Sequence, residues 1–248
     1  MRVFLLLIAM VLIASFPFIG SYITPSKNGL MHDKEYIYEV IDSYIKDHPG
    51  KIMRAMQQYS ISQQQERQES RLKEVMVTHA DNINNKQYPS FGTGLKVIEF
   101  FDYNCGHCKR MQPIIAEILE EEGVEYIFRE IPLFGESSYL ASSAALAVYM
   151  IDKEKYLTFN KALLEYRGDY TEEVIKDMVA GLGIDVVAFD QLRSGTEVQE
   201  LISGSIALFK ALNFGGTPTF IVGDKLIEGA VDINTFKQTL HEMKQTKH

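Results

Sequence analysis

The run LKVIEFFDYNCGHCKRMQP, Leu95 to Pro113, decides how the rest of the chain is read. Its first part, Leu95 to Tyr103, is nearly continuous apolar sequence, the pattern of a strand buried on both faces. After Cys105 the apolar residues Ile114, Ile115, Ile118 and Leu119 recur at helical spacing, and Gly123 supplies a stop. The two cysteines, Cys105 and Cys108, therefore lie where a strand ends and a helix opens. A helix start offers unpaired N–H groups and the positive end of its dipole. A thiolate at Cys105 is stabilised there, and its pKa is expected to fall below the free value of ~8.5. Two intervening residues let the second sulfur reach the first within one helical turn, so Cys105–Cys108 can exist as dithiol or disulfide. His107, between them, can add positive charge or a hydrogen bond near the thiolate. That favours the reduced form and makes the disulfide a stronger oxidant. The alternative for a Cys-x-x-Cys pair is half of a zinc site. The chain holds only two cysteines and no nearby ligand pair, so neither a metal nor another cofactor is implied.

Working outward, VEYIFREIPL (124–133) reads as the next strand, and the strand–helix–strand order makes an α/β unit. Residues 137–212 are helical in pattern, with Thr171 and Asp185 where helix N-caps fall. Strands return at TFIV (219–222) and LIEG (226–229), joined by a turn at Gly223–Lys225, and a last helix starts at about Asp232. The sheet is thus interrupted by a helical insertion over about 137–212. On the other side, residues 81–94 (DNINNKQYPSFGTG) are turn-rich and mark a boundary.

Residues 22–90 form a helical arm. Its start, 22–31, reads as a linker; Ile37, Val40, Ile41, Tyr44 and Ile45 then follow at helical spacing, and His48-Pro49-Gly50 breaks the helix. A second helix carries Ile52, Met53, Met56 and Tyr59 on one side, then turns nearly all polar through SQQQERQESRLKE. A long polar helix buries no core by itself; it bridges solvent or forms one strand of an oligomer. We expect homo-oligomerisation through residues 33–78, against the alternative of a solvated spacer. At the extreme N-terminus, one arginine precedes the uncharged run from Val3 to Ile19. Residues 1–21 are expected to be a secretory signal or a retained anchor at residues 3–19. Either implies export to the periplasm or cell envelope, where thiols meet oxidising conditions.

The 248 residues carry a net charge of −8, the wrong sign for a phosphate-backbone binder, so nucleic acid is not an expected partner. Charge is balanced across 22–90, with nine Lys and Arg against nine Asp and Glu. The acidity belongs to 91–248, where it reads as solubility.

EFFDYNCGHCKRMQP resembles the thioredoxin superfamily, and within it the periplasmic DsbA-like oxidoreductases. Cys-Gly-His-Cys is similar to the tetrapeptide of eukaryotic protein disulfide isomerases, and Pro113 matches the proline that kinks the thioredoxin active-site helix. The resemblance covers about residues 91–245 and implies a thioredoxin-like α/β fold with a helical insertion. It also implies a protein thiol–disulfide oxidoreductase in which Cys105 attacks or is attacked and Cys108 is the buried resolving thiol. Gly215-Gly216-Thr217-Pro218 is by itself only a turn. The resemblance makes Pro218 a cis-proline facing the active-site disulfide, with the Thr217 backbone pointed at a bound client peptide. Glu99 would be a surface glutamate on an edge strand, but its neighbours Ile98 and Phe100 are apolar and the run is continuous, which weighs against that reading. In the family a buried acid at this spacing has a raised pKa and takes the proton from the resolving thiol, here Cys108. Asp102 and Tyr103 read as turn and surface residues, and Lys109 and Arg110 as a solvated first-turn face. His32, His48, His79, His241 and His248 are scattered and suggest no site. The Ile41–Pro49 segment is similar to the oligomerising arms of some DsbA-like proteins, including ScsC-like proteins, which act as isomerases.

The expected function is therefore exchange of disulfides in cysteine-containing client proteins, by oxidation or isomerisation, with a membrane redox partner. His107 leans toward oxidising power; Thr217 and the arm lean toward isomerisation. The rival from another class is a non-enzymatic envelope chaperone or surface protein on the same scaffold, and a weaker one is a thiol metal carrier.

Overall fold

The computed structural model describes residues 27–246, with side chains from residue 34. The apolar stretch at 3–19, expected to be a signal or anchor, lies outside the described residues. Among the described residues no helix is long and apolar enough to cross a membrane. The chain divides into two compact units, one up to Ile61 and one from Ser62.

The first unit holds α1 (Lys27–Asp47) and the start of α2 (Pro49–Thr78). Helix α1 begins inside the stretch read as a linker. The break falls at His48, as the sequence required: the proline at the first position of α2 has no N–H to donate backward.

The second unit is built on a five-stranded sheet of order β1-β3-β2-β4-β5. Its strands are β1 (Ser90–Gly92), β2 (Leu95–Phe101), β3 (Val124–Glu130), β4 (Thr219–Val222) and β5 (Lys225–Glu228). β2 runs parallel to β3 and antiparallel to β4, which places Glu99 opposite Phe128 on one side and Phe220 on the other. β2 is therefore a central strand covered on both faces. Val97 and Phe101 pack with α4 (Gly106–Leu119) and α10 (Ile233–Gln245). Ile98 and Phe100 pack on the opposite face with α9 (Thr196–Ala211) and with Leu72 and Val75 from the end of α2. That two-sided cover is why the strand reads as an unbroken apolar run.

Between β3 and β4 the insertion folds as α5 (Glu136–Ile151), α6 (Lys153–Glu165), α7 (Glu172–Gly181), α8 (Val186–Arg193) and α9. Thr171 and Asp185 cap α7 and α8 by accepting from Val174 N and Ala188 N. Two elements fall within the stretch read as a plain boundary: α3 (Ala80–Ile83) and β1. β1 is too short to show a period. It is held by pairing with β3 and by Phe91, whose ring lies 5.7 Å from that of Tyr156. Gly94 joins β1 to β2 at φ +125°, where a Cβ would sit 2.3 Å from the Gly123 oxygen, so only glycine fits. β3 ends at Glu130, short of Pro132, which has no N–H for the ladder.

Candidate active site

Strand β2 ends at Phe101, and residues 102–105 carry the chain from the sheet into α4. Cys105 is the N-cap of that helix, with extended backbone at φ −72° and ψ 115°. Cys108 follows one turn in. Both are free thiols here and both are buried. Across the sheet end, the Thr217–Pro218 peptide bond is cis, and the Thr217 carbonyl lies 3.2 Å from Cys105 Sγ. Thr219 Oγ1 donates to Gly216 O (2.7 Å), tying that turn to the start of β4.

The two sulfurs differ sharply. Cys105 is pulled down to about 5, first by the Cys108 thiol donating to it, and burial opposes the pull. The Thr217 hydroxyl and the N–H groups of Cys108 and His107 add to it. No first-turn N–H closes a capping hydrogen bond on the Cys105 side chain, so those amides act as dipoles at longer range. Thr217 acts twice: its carbonyl accepts from the thiol, and its hydroxyl favours the thiolate. Cys108 is pushed far above the ordinary thiol range by burial, by donating to Cys105, and by the charges of Glu99 and Cys105. At neutral pH the pair is a thiolate beside a thiol.

Glu99 lies beneath them, 1% exposed, inside the central strand and not at an edge. Burial raises its pKa to about 8, helped by the charges of Glu130 and Cys105 and opposed by a 2.9 Å hydrogen bond from Tyr126 Oη. Because that bond favours the carboxylate, Tyr126→Phe is expected to move Glu99 higher still, by about one pH unit, as for a hydrogen bond to a charged group. Following the Glu99 carboxyl by infrared titration in both proteins checks this; an unmoved or lowered midpoint contradicts it.

His107 is exposed, and its ring contacts Arg110, with Nη2 2.5 Å from Nδ1. The His107 group acting on Cys105 is its backbone N–H, not the imidazole. Lys109 is not fully solvated as expected: Nζ donates to Tyr166 O (2.7 Å) and sits 5.6 Å over the Tyr170 ring. Burial holds it below the usual lysine range. Asp102 and Tyr103, read as turn and surface residues, are wholly buried. The helical insertion covers them: Ser138 of α5 donates to Asp102, and Asn160 of α6 donates to Tyr103 Oη.

Two further groups escaped the sequence reading. Tyr126 partners Glu99, and Glu130 is a second buried acid that accepts from Tyr156 Oη at 2.8 Å. Burial raises Glu130 to about 7. The available signal was the period of two along β3, which puts Tyr126, Phe128 and Glu130 on one face. Among the described residues no group of three His, Cys, Asp or Glu could hold a metal ion.

Residues 96–241 match the DsbA-like thioredoxin domain. The chain belongs to that family. The thiol:disulfide interchange protein DsbA of Burkholderia cepacia is 27% identical over 149 residues, covering 58% of this chain and 70% of its own. The thiol-disulfide exchange protein alpha-DsbA2 of Wolbachia pipientis is 34% identical, with a TM-score of 0.67, covering 71% of this chain and 97% of its own. Proteus mirabilis ScsC in a transitional conformation shares the fold at 22% identity and a TM-score of 0.63, covering 86% of this chain and 97% of its own. Membership in the DsbA-like family supports thiol–disulfide exchange as the general activity. It leaves oxidation and isomerisation both open, because the shared elements serve either direction.

Proposed function

We propose that this DsbA-like chain is an exported thiol–disulfide oxidoreductase that forms or isomerises disulfide bonds in cysteine-containing clients of the periplasm or envelope. The observation that carries the reading is the opposition of the two sulfurs, Cys105 held down to about 5 and Cys108 pushed up beside it. In isomerisation the Cys105 thiolate attacks a client disulfide. A Cys105–client disulfide forms, and one client sulfur leaves as thiolate to re-pair. If re-pairing stalls, Cys108 loses its proton to Glu99 and attacks Cys105, releasing the reduced client and leaving the Cys105–Cys108 disulfide. In oxidation the same steps run in reverse, and a membrane redox partner reoxidises the pair. Thr217 and Pro218 line the place where a client strand would pair.

Assembly is part of the proposal. On α1, Ile37, Ile41 and Tyr44 recur on one side and are each about half exposed. Such a row is expected to be covered by a second copy of the arm. The direction of electron flow follows from two measurements on the full chain. A stable oligomer that refolds scrambled ribonuclease marks an isomerase. A monomer whose Cys105–Cys108 potential lies near ~−120 mV marks an oxidase. A chain that neither reduces insulin nor refolds scrambled ribonuclease defeats the proposal.

A further inference from the structure

Asp102 is a buried carboxylate three residues before Cys105, and each of its oxygens accepts twice. Oδ1 takes the N–H of Asn104 at 2.7 Å and the Ser138 hydroxyl at 2.7 Å. Oδ2 takes the N–H of Leu133 at 2.6 Å and of Phe134 at 3.3 Å. Its main-chain carbonyl accepts the Cys105 N–H at 3.0 Å. Asn104 braces the same corner by donating to the hydroxyls of Ser137 (3.2 Å) and Ser138 (3.0 Å). One residue thus joins three pieces: the turn bearing Cys105, the loop after β3, and the first turn of α5. No cation pairs with it within hydrogen-bond range among the described residues. Four donors stand in for the cation a buried carboxylate usually needs, so the carboxylate is satisfied only while these three pieces stay together.

We propose that Asp102 is a positioning residue for thiol–disulfide exchange, clamping the Cys105 turn against the insertion so that Cys105 Sγ stays between Cys108 and Thr217. This rests on the reading of Cys105 as the attacking thiol. Cys105 owes its low pKa to neighbours set by main-chain position: the Cys108 thiol, the Thr217 hydroxyl and two helix-start amides. A loosened turn loses them together. The other titratable and charged groups around this corner are Cys108 and Lys109 on α4, Glu99 on β2, and Arg167 and Tyr170 in the insertion.

Asp102→Asn tests the clamp, because its sign separates positioning from charge. Asparagine keeps the shape, but its amide nitrogen accepts nothing. The Ser138 hydroxyl can turn round and accept instead. A main-chain N–H, of Asn104 or of Leu133 and Phe134, cannot. Removal of a nearby anion alone would lower the Cys105 pKa; loss of the clamp raises it. The readout is the pH midpoint of Cys105 alkylation by iodoacetamide in the full reduced chain. Asp102→Asn is expected to raise the midpoint by about one unit, an effect of the size of losing a hydrogen bond to the thiolate. The rate with glutathione disulfide at pH 5 should fall several-fold. Ser138→Ala, which deletes one donor without touching charge, should move both in the same direction by less, and it serves alone if the first variant does not fold. An unchanged or lowered midpoint in folded Asp102→Asn, or in Ser138→Ala, overturns the assignment. The alkylation titration reads the clamp whether or not the chain acts on clients. Inactivity of the wild type on insulin and ribonuclease would instead remove the proposed function and leave the clamp standing.

Discussion

Replacing Cys105 by serine is expected to abolish exchange, lowering insulin reduction by at least about a thousandfold, because a hydroxyl neither attacks nor leaves a disulfide at neutral pH. No other thiol takes over: Cys108 is buried and held protonated, and the chain has no third cysteine. Cys108→Ser should behave differently. It keeps an attacking thiolate, loses the release step, and accumulates a Cys105–client disulfide visible on a non-reducing gel. A serine variant at 105 that still turns over insulin, or one at 108 that traps nothing, sinks the division of roles. The pH dependence follows from the same asymmetry. With a Cys105 pKa of about 5 the sulfur is essentially all thiolate at pH 7. A free thiol at ~8.5 is only a few per cent ionised there. The gain in thiolate is partly offset because a less basic sulfur is a weaker nucleophile.

Stability is linked to that ionisation. Unfolded, the thiol titrates at its free value of ~8.5; folded, it titrates at about 5. Between those values the unfolded state binds more protons, so Cys105 adds stability to the reduced form as pH rises. Glu99 has the opposite sign: its folded pKa is about 8 against 4.5 unfolded, so its contribution is full below 4.5 and is lost as pH rises to about 8. The disulfide form lacks the first contribution and keeps most of the second, because the Cys105 charge is a minor one of the causes that raise Glu99. The reduced protein should therefore gain on the oxidised one steadily from about pH 5 to ~8.5, which urea unfolding of both forms measures.

Glu99→Gln is expected to slow release of the Cys105–client disulfide by about a hundredfold, the usual size of a lost general base. Glutamine keeps the hydrogen-bonded volume beside Tyr126 and cannot take a proton from Cys108. In the wild type, release should speed up as pH rises toward about 8 and Glu99 ionises. In the mixed disulfide the Cys105 charge is gone, so the limb should fall somewhat below that value. The variant should lack it. Initial attack by Cys105, which needs no proton from Cys108, should change little. Stopped-flow measurement of both steps decides the matter: a variant with an unaltered release limb leaves Glu99 without a catalytic part.

Much of this was legible in the sequence because it is local. The strand-to-helix junction at Cys105, the break at Pro49 and the caps at Thr171 and Asp185 all follow from patterns a few residues long. Asp102 was misread for the same reason. An Asp-Tyr-Asn run after a strand has the composition of an exposed turn, and nothing nearby announces that Leu133, Phe134 and Ser138 will fold over it. β1 escaped because three residues carry no period. His107 stands beside the sulfur, but it is its backbone N–H that acts on Cys105, while its ring turns to Arg110.

By itself, then, the sequence determined the order of elements, the pair of thiols at a helix start, and the preference of that start for a negative sulfur. Short-range sterics and the helix dipole suffice for those. The tertiary structure decided how far the two sulfurs part, with Cys105 at about 5 and Cys108 pushed far up. Thr217 reaches Cys105 from 112 residues away. Glu99 becomes an acid with a raised pKa only because Phe128 and Phe220 strands close on either side of it. Asp102 becomes a clamp only under the insertion. A pKa depends on burial and on partners brought from distant parts of the chain, and only the packed sheet and its covering helices supply both.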